Sequence, residues 1–175
     1  VLAAAPMAGG AVVPLRGRRR PAPGGAHRIT FFSLKGGTGR TTLACELAAG
    51  LSRDGRGVAL LDLDLRSASI GPRLGLHGAG VLELAAAPPD RRGAVQGLAR
   101  HPGGFQVLLG ATRPVRGEWP VTPAMVRELL RELDAAGFHA VIVDLSPELT
   151  PLAESVLRSV DDVFVVVSAT ASGVH

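Results

Sequence analysis

The chain has 175 residues, enough for one domain with a substantial core, and 46% of them are hydrophobic. Aromatics make up only 3% and Tyr is absent, so the core must be built from Leu, Val and Ala, and any function needing a tyrosine cluster is excluded. The formal net charge of +4 suits a nucleotide, a nucleic acid or an acidic membrane surface, without choosing among them. Cys45 is the one cysteine, which excludes a disulfide framework and a cysteine metal cluster. Its helical context reads as a small buried thiol, and a reducing, cytoplasmic setting is expected. No apolar run is long enough to span a bilayer. The apolar start, Val1 to Val13, lacks a preceding basic region and is not read as a signal peptide.

Residues 1–27 hold many of the Pro and Gly together with Arg16, Arg18, Arg19 and Arg20. They are expected to be a disordered linker or tail. No aromatic residue is interleaved there for base stacking, which counts against an RNA-binding arm. From Arg28 onward, strand and helix patterns alternate. Ile29–Ser33 reads as a short strand ending at glycines. Thr41–Arg53 carries Leu43, Leu47 and Leu51 at helical spacing. Val58–Leu63 is a continuous apolar run ending in acids, as in a strand buried on both faces. Ser69–Leu76 and Val81–Ala87 read as short helices stopped by Pro88-Pro89. Phe105–Leu109 reads as a strand. Pro123–Ala136 is expected to be a helix capped by Thr122, with Met125, Leu129, Leu130 and Leu133 on one side. Ala140–Leu145 reads as a strand, Leu149–Ser159 as a helix and Val163–Ser168 as a last strand. Strands separated by helices pair in parallel through right-handed crossovers. The expected fold is therefore an α/β, doubly wound, mainly parallel sheet with helices on both faces. The chain does not begin with Met and ends inside a patterned segment, so residues 28–175 are read as a domain incomplete at its C-terminus.

In such sheets ligands sit beyond the carboxyl ends of the strands. Three features of the sequence fall there. The first is Lys35-Gly36-Gly37-Thr38-Gly39-Arg40-Thr41-Thr42, between a strand and a helix. Glycines let the backbone bring its N–H groups against phosphate oxygens. The following helix presents its unpaired N–H groups and positive dipole end to the same anion. Thr41, at the first turn, is placed to ligate Mg²⁺. All eight residues from Lys35 to Thr42 are candidate nucleotide contacts. The second feature is the pair Asp62 and Asp64, two apart at a strand end, whose side chains leave the same face. Beside a triphosphate they suit Mg²⁺ coordination through water and orientation of an attacking water. The third is Asp144, which closes the apolar run Ala140–Val143, with Pro147 three residues on. That pattern suits an acid that holds Mg²⁺ through water.

Apart from Arg40, the loop resembles the deviant Walker A motif of the MinD/ParA ATPases, and the resemblance covers residues 28–175. It implies a P-loop NTPase fold of the SIMIBI type, ATP and Mg²⁺ as cofactors, and a homodimer that sandwiches ATP. It implies that Lys35, the one lysine among 18 arginines, reaches the phosphates of the partner subunit, and that Asp64 positions the catalytic water. Asp62 is then nearer a metal or structural role, and Asp144-Leu145-Ser146-Pro147 is similar to the family's second switch. Arg40 stands where the family carries its phosphate lysine. A guanidinium is longer and planar where an ammonium is a compact point charge, so nucleotide binding with slow or absent hydrolysis is expected. The run Leu65-Arg66-Ser67-Ala68-Ser69-Ile70-Gly71 looks like the CpaE/TadZ branch, which implies partners in a pilus or secretion apparatus. A non-catalytic localisation scaffold and a DNA-partition ATPase binding nonspecific DNA remain open, as does peripheral membrane association. His27, His77, His101, His139 and His175 show no metal spacing and read as surface or loop residues. Trp119 reads as a packing plug in a loop.

Overall fold

A computed structural model describes residues 10–14, 24–88, 93, 95–111 and 120–168. Among the described residues seven strands form one sheet: β1 (Gly10–Pro14), β2 (His27–Phe32), β3 (Val58–Leu63), β4 (Ala99–Arg100), β5 (Gln106–Leu108), β6 (Ala140–Leu145) and β7 (Asp162–Ser168). Their order across the sheet is β1-β7-β2-β6-β3-β5-β4. The five inner strands, β7, β2, β6, β3 and β5, run parallel, and each edge strand is antiparallel to its neighbour. This is the doubly wound architecture that the alternating pattern predicts.

Among the described residues the helices are α1 (Arg40–Ser52), α2 (Ile70–Leu74), α3 (Val81–Ala86), α4 (Pro123–Ala135) and α5 (Pro151–Ser159), with a 3₁₀ turn at Val95–Gly97. Strands β3 and β6 are buried along their whole length. Alternation along them divides the core in two. Val58, Leu60, Ala140 and Ile142 face Ala44, Cys45 and Ala48 of α1 and Ile70 of α2. Ala59, Leu61, Leu63, Val141, Val143 and Leu145 face α3, α4 and α5. The even-numbered positions thus look toward α1, and Asp62 and Asp144 continue that series at the strand ends.

Helix α4 begins at Thr122, whose hydroxyl accepts the N–H of Met125 at 3.2 Å, with Pro123 in the first turn. Met125, Val126, Leu129, Leu130 and Leu133 are its buried side. Helix α5 repeats the device with Thr150 and Pro151, and so starts two residues after Leu149. Helix α1 differs from its leucine spacing. Its sheet-facing residues are Ala44, Cys45 and Ala48, while Leu43, Leu47 and Leu51 pack at its flanks. Small residues let this helix lie close on the sheet, which its start at the glycine loop demands.

Gly10–Pro14 departs from the expectation of a disordered stretch over 1–27. It pairs with β7 from Gly10↔Ser168 to Pro14↔Phe164. The β-branched pair Val12-Val13 suits a strand, and Pro14 stands at its end, where a missing donor matters least. The remaining residues before Gly24, including the four arginines, lie outside the described residues, as do Trp119 and the end of the chain from 169. Among the described residues no helix is long and apolar enough to cross a membrane.

Leu130 is 0% exposed at the centre of the α4 contact. Leu130→Ala is expected to cost ~2–5 kcal/mol of unfolding free energy, through lost transfer energy and the cavity left behind. Urea unfolding with an unchanged slope checks this.

Candidate functional site: a phosphate loop over buried carboxylates

Strand β2 ends at Phe32, and the chain turns through residues 33–39 into α1. Gly37 (φ 73°) and Gly39 (φ 92°) both take left-handed backbone there, which a side chain would oppose. Gly39 is the N-cap of α1. The first N–H groups of that 13-residue helix have no carbonyl partner within the helix and point back at the loop. Gly36, Gly37 and Gly39 each have open space where a Cβ would stand. The loop is thus a concave run of backbone capped by a helix terminus, the geometry that holds phosphate. Lys35 is exposed on it, and Thr38 and Thr42 are half-buried.

Beneath the loop lie the acids. The parallel register of β3 and β6 sets Asp62 directly opposite Asp144. Asp144 Oδ2 accepts the Thr41 hydroxyl at 2.6 Å. Asp144 Oδ1 is buried without a hydrogen-bond partner, the only such side-chain atom among the described residues. Burial pushes the Asp144 carboxyl up to about 6; the Thr41 hydrogen bond and Arg40 oppose the rise, and the neighbouring Asp64 adds to it. Asp62 is pushed up to about 7, again by burial first. Its backbone donor Ile70 opposes the rise, while Asp144 and Asp64 reinforce it. Asp64 follows β3 and accepts the Ser67 N–H at 3.0 Å.

Arg40 is the counter-charge. It is 7% exposed, and its Nη1 donates to the Ser33 carbonyl at 2.7 Å. The guanidinium therefore reaches back under the loop and ties its start to its end. Burial lowers its pKa, and the charges of Asp144 and Asp64 work against that lowering. A lysine at this position would offer its three donors from one compact nitrogen, where the guanidinium spreads its donors over a planar fork.

The residues singled out in sequence converge on one edge of the sheet: the loop 35–42 after β2, Asp62 near the end of β3 with Asp64 just beyond it, and Asp144 near the end of β6. The chemistry fits Mg²⁺. A carboxylate oxygen lacking a donor, beside a hydroxyl, where burial pushes the carboxyl up to about 6, is what a divalent cation and its waters would satisfy. No group of three or more His, Cys, Asp or Glu forms a metal cage among the described residues. An ion here would take its other ligands from phosphate and water. The described histidines stand apart from the site. His27 pairs with Asp162 at 2.8 Å, His101 stacks on Phe105, and His77 and His139 are exposed. Cys45 is buried, and its thiol is pushed up to about 11, chiefly by burial.

Two contacts near the site had no signal in the sequence. Arg66 pairs with Glu148 at 3.3 Å, joining the segment after β3 to the segment after β6. Asp62 accepts backbone N–H groups with both oxygens. Each depends on loops brought together only by the sheet.

Residues 25–174 match the ParA family model, NUBPL iron-transfer P-loop NTPase. The chromosome-partitioning ATPase Soj of Thermus thermophilus is 36% identical over 151 residues, covering 82% of this chain and 55% of that protein. The cytosolic Fe–S cluster assembly factor Nubp2 homolog of Drosophila persimilis is 32% identical over 120 residues, covering 68% of this chain and 47% of that protein. The chain spans about half the length of these curated relatives. Among solved structures, the septum site-determining protein MinD of Pyrococcus horikoshii with Mg-ADP aligns with a TM-score of 0.62 at 24% identity, over 77% of this chain and 54% of that one. Cobyrinic acid a,c-diamide synthase of Mycobacterium smegmatis, with an ATP analog and magnesium, aligns with a TM-score of 0.62 at 23% identity, over 77% and 57%. Both share the fold.

Asp62 and Asp144 hold their protons more tightly folded than unfolded, where each titrates near 3.8. Between about pH 4 and pH 7 the folded state therefore binds more protons, and stability falls as pH rises through that window. The nucleotide-free protein is expected to melt several degrees higher at pH 5 than at pH 7.5, and Asp144→Asn to reduce that difference. Thermal melts across the pH range check it.

Proposed function

Because the chain belongs to the ParA family of P-loop NTPases, we propose that it is a nucleotide-driven dimeric switch with weak hydrolysis. It binds ATP with Mg²⁺ at residues 35–42. The observation that carries this reading is the pair Thr41–Asp144 under the glycine loop, with one Asp144 oxygen left without a donor. Thr41 and Asp144 would hold Mg²⁺, which when bound draws negative charge from the terminal phosphates. The loop N–H groups and the start of α1 orient the phosphates. Asp64, fixed through Ser67, orients the water that attacks. Lys35 stands exposed at the rim, where it reaches a partner's phosphates across a dimer.

Two large apolar side chains support such a face. Leu34 is 74% exposed beside the loop, and Leu149 is 66% exposed in the segment after β6. Single exposed leucines are ordinary. These two sit at the edge that a sandwiched nucleotide would bury.

Arg40 sets the rate. Its donor to Ser33 fixes the guanidinium within the loop, so the phosphates meet a planar, already anchored cation. Binding is retained, because the charge is present. Turnover is slow, because the cation does not follow the charge that develops between the β- and γ-phosphates.

The partner that reads the switch is the finer part of the proposal. Leu65–Gly71 leads into α2 as in the CpaE/TadZ branch, which favours a cytoplasmic protein that positions a pilus or secretion apparatus. Soj is a chromosome-partitioning ATPase by name, and with the net charge of +4 that likeness favours a second reading, nonspecific duplex binding by the dimer. Duplex binding that weakens steeply with salt selects the second reading.

The test is nucleotide binding, phosphate release and light-scattering mass with Mg²⁺–ATP. Wild type is expected to bind and dimerise with slow release, and Lys35→Ala to bind but stay monomeric. Arg40→Lys is expected to release phosphate at least about tenfold faster, the scale of one well-placed transition-state charge. A wild-type rate that is already robust and unchanged in Arg40→Lys contradicts the role of Arg40. Absence of nucleotide binding contradicts the function.

A further inference from the structure

Asp62 is 0% exposed, the most deeply buried acid of the site. Its Oδ1 accepts the Asp64 N–H at 3.3 Å. Its Oδ2 accepts the N–H groups of Ser69 and Ile70, at 3.1 Å each. One carboxylate thereby grips segment 64–70 at both ends, and at Ile70 it also holds the first residue of α2. The opposite side is built to receive it. A Cβ on Gly110, just beyond β5, would lie 2.5 Å from Ala68 Cβ and 2.7 Å from Asp62 Cγ. Only a glycine there lets the carboxylate and Ala68 sit against that backbone. The gripped segment carries Asp64, and it carries Arg66, which reaches across to Glu148.

We propose that Asp62 is a positioning residue whose carboxylate clamps segment 64–70 and so presents Asp64 to the phosphate loop, answering to backbone N–H groups and not to Mg²⁺. The purpose of the clamp rests on the nucleotide reading above. The clamp itself is a property of the nucleotide-free protein. Removing an acceptor oxygen from Asp62 frees the segment while the Thr41–Asp144 hydrogen bond keeps its own donor and acceptor. Crowding the carboxylate from Gly110 does the same with every charge intact.

The test uses the full chain as wild type, Asp62→Asn and Gly110→Ala, with two readouts. Limited trypsin digestion compares cleavage after Arg66 with cleavage after the exposed Arg53 and Arg158. A Mg²⁺ titration follows binding of a fluorescent ADP. Both variants are expected to be cut after Arg66 about tenfold faster while the other two sites stay near wild type, because local opening exposes one segment and not the core. Asp62→Asn is expected to leave the Mg²⁺ midpoint within about twofold, since a residue that does not touch the ion does not set its affinity. The proposal is overturned by an unchanged rate after Arg66. It is equally overturned by equal acceleration at all three sites, the sign of general loosening, or by a Mg²⁺ midpoint in Asp62→Asn raised about tenfold, the mark of a metal contact. Should Asp62→Asn fail to fold, Gly110→Ala decides by the cleavage pattern alone. Should wild type bind no nucleotide, the nucleotide reading fails while the cleavage pattern still decides the clamp.

Discussion

The parallel pairing of β3 with β6 places two carboxyl groups, Asp62 and Asp144, side by side at the end of a fully buried strand pair. Two acids without compensation in such a place are costly, because burial disfavours the charged form and like charges add to the penalty. The neighbourhood is arranged around that cost. Asp62 is met by three backbone N–H groups and Asp144 by the Thr41 hydroxyl, and the buried guanidinium of Arg40 offsets the charges of Asp144 and Asp64. What stays unmet is one oxygen of Asp144. The residual negative potential sits below a loop of backbone donors, so the site is poised for a divalent cation carrying an anion. Neither would bind as well alone.

Arg40 serves two demands that a lysine would separate. It ties the loop to the Ser33 carbonyl, which orders the phosphate cradle in the nucleotide-free protein. It also supplies the positive charge that the acids need. The consequence is a cation fixed by its own fold.

Much of this was legible in the residues. The glycine loop, Asp62, Asp64 and Asp144 announce themselves because strand ends are readable from apolar runs, and ligands gather beyond strand ends. Helix α4 is legible from Thr122, Pro123 and the leucine spacing, since capping and amphipathicity are local. Other features are not local. Strand β1 lies in a Pro/Gly-rich stretch, and its partner β7 is some 150 residues away. The sheet-facing side of α1 is alanine, because the loop forces that helix close to the sheet, whereas spacing alone pointed to its leucines. The hold of Asp62 on Ser69 and Ile70, the close fit of Gly110 and the Arg66–Glu148 pair depend on three loops meeting at one edge, which no periodicity encodes.

The most direct measurement is calorimetric titration of the protein with Mg²⁺–ADP at pH 6, in two buffers of different ionisation enthalpy. Burial holds the Asp144 carboxyl up to about 6 before binding, and a cation held there would draw its pKa down. Binding should then release protons, making the heats differ between buffers, and Asp144→Asn should shrink the difference. Equal heats in the two buffers, or proton uptake, would contradict a site in which Asp144 receives the magnesium nucleotide.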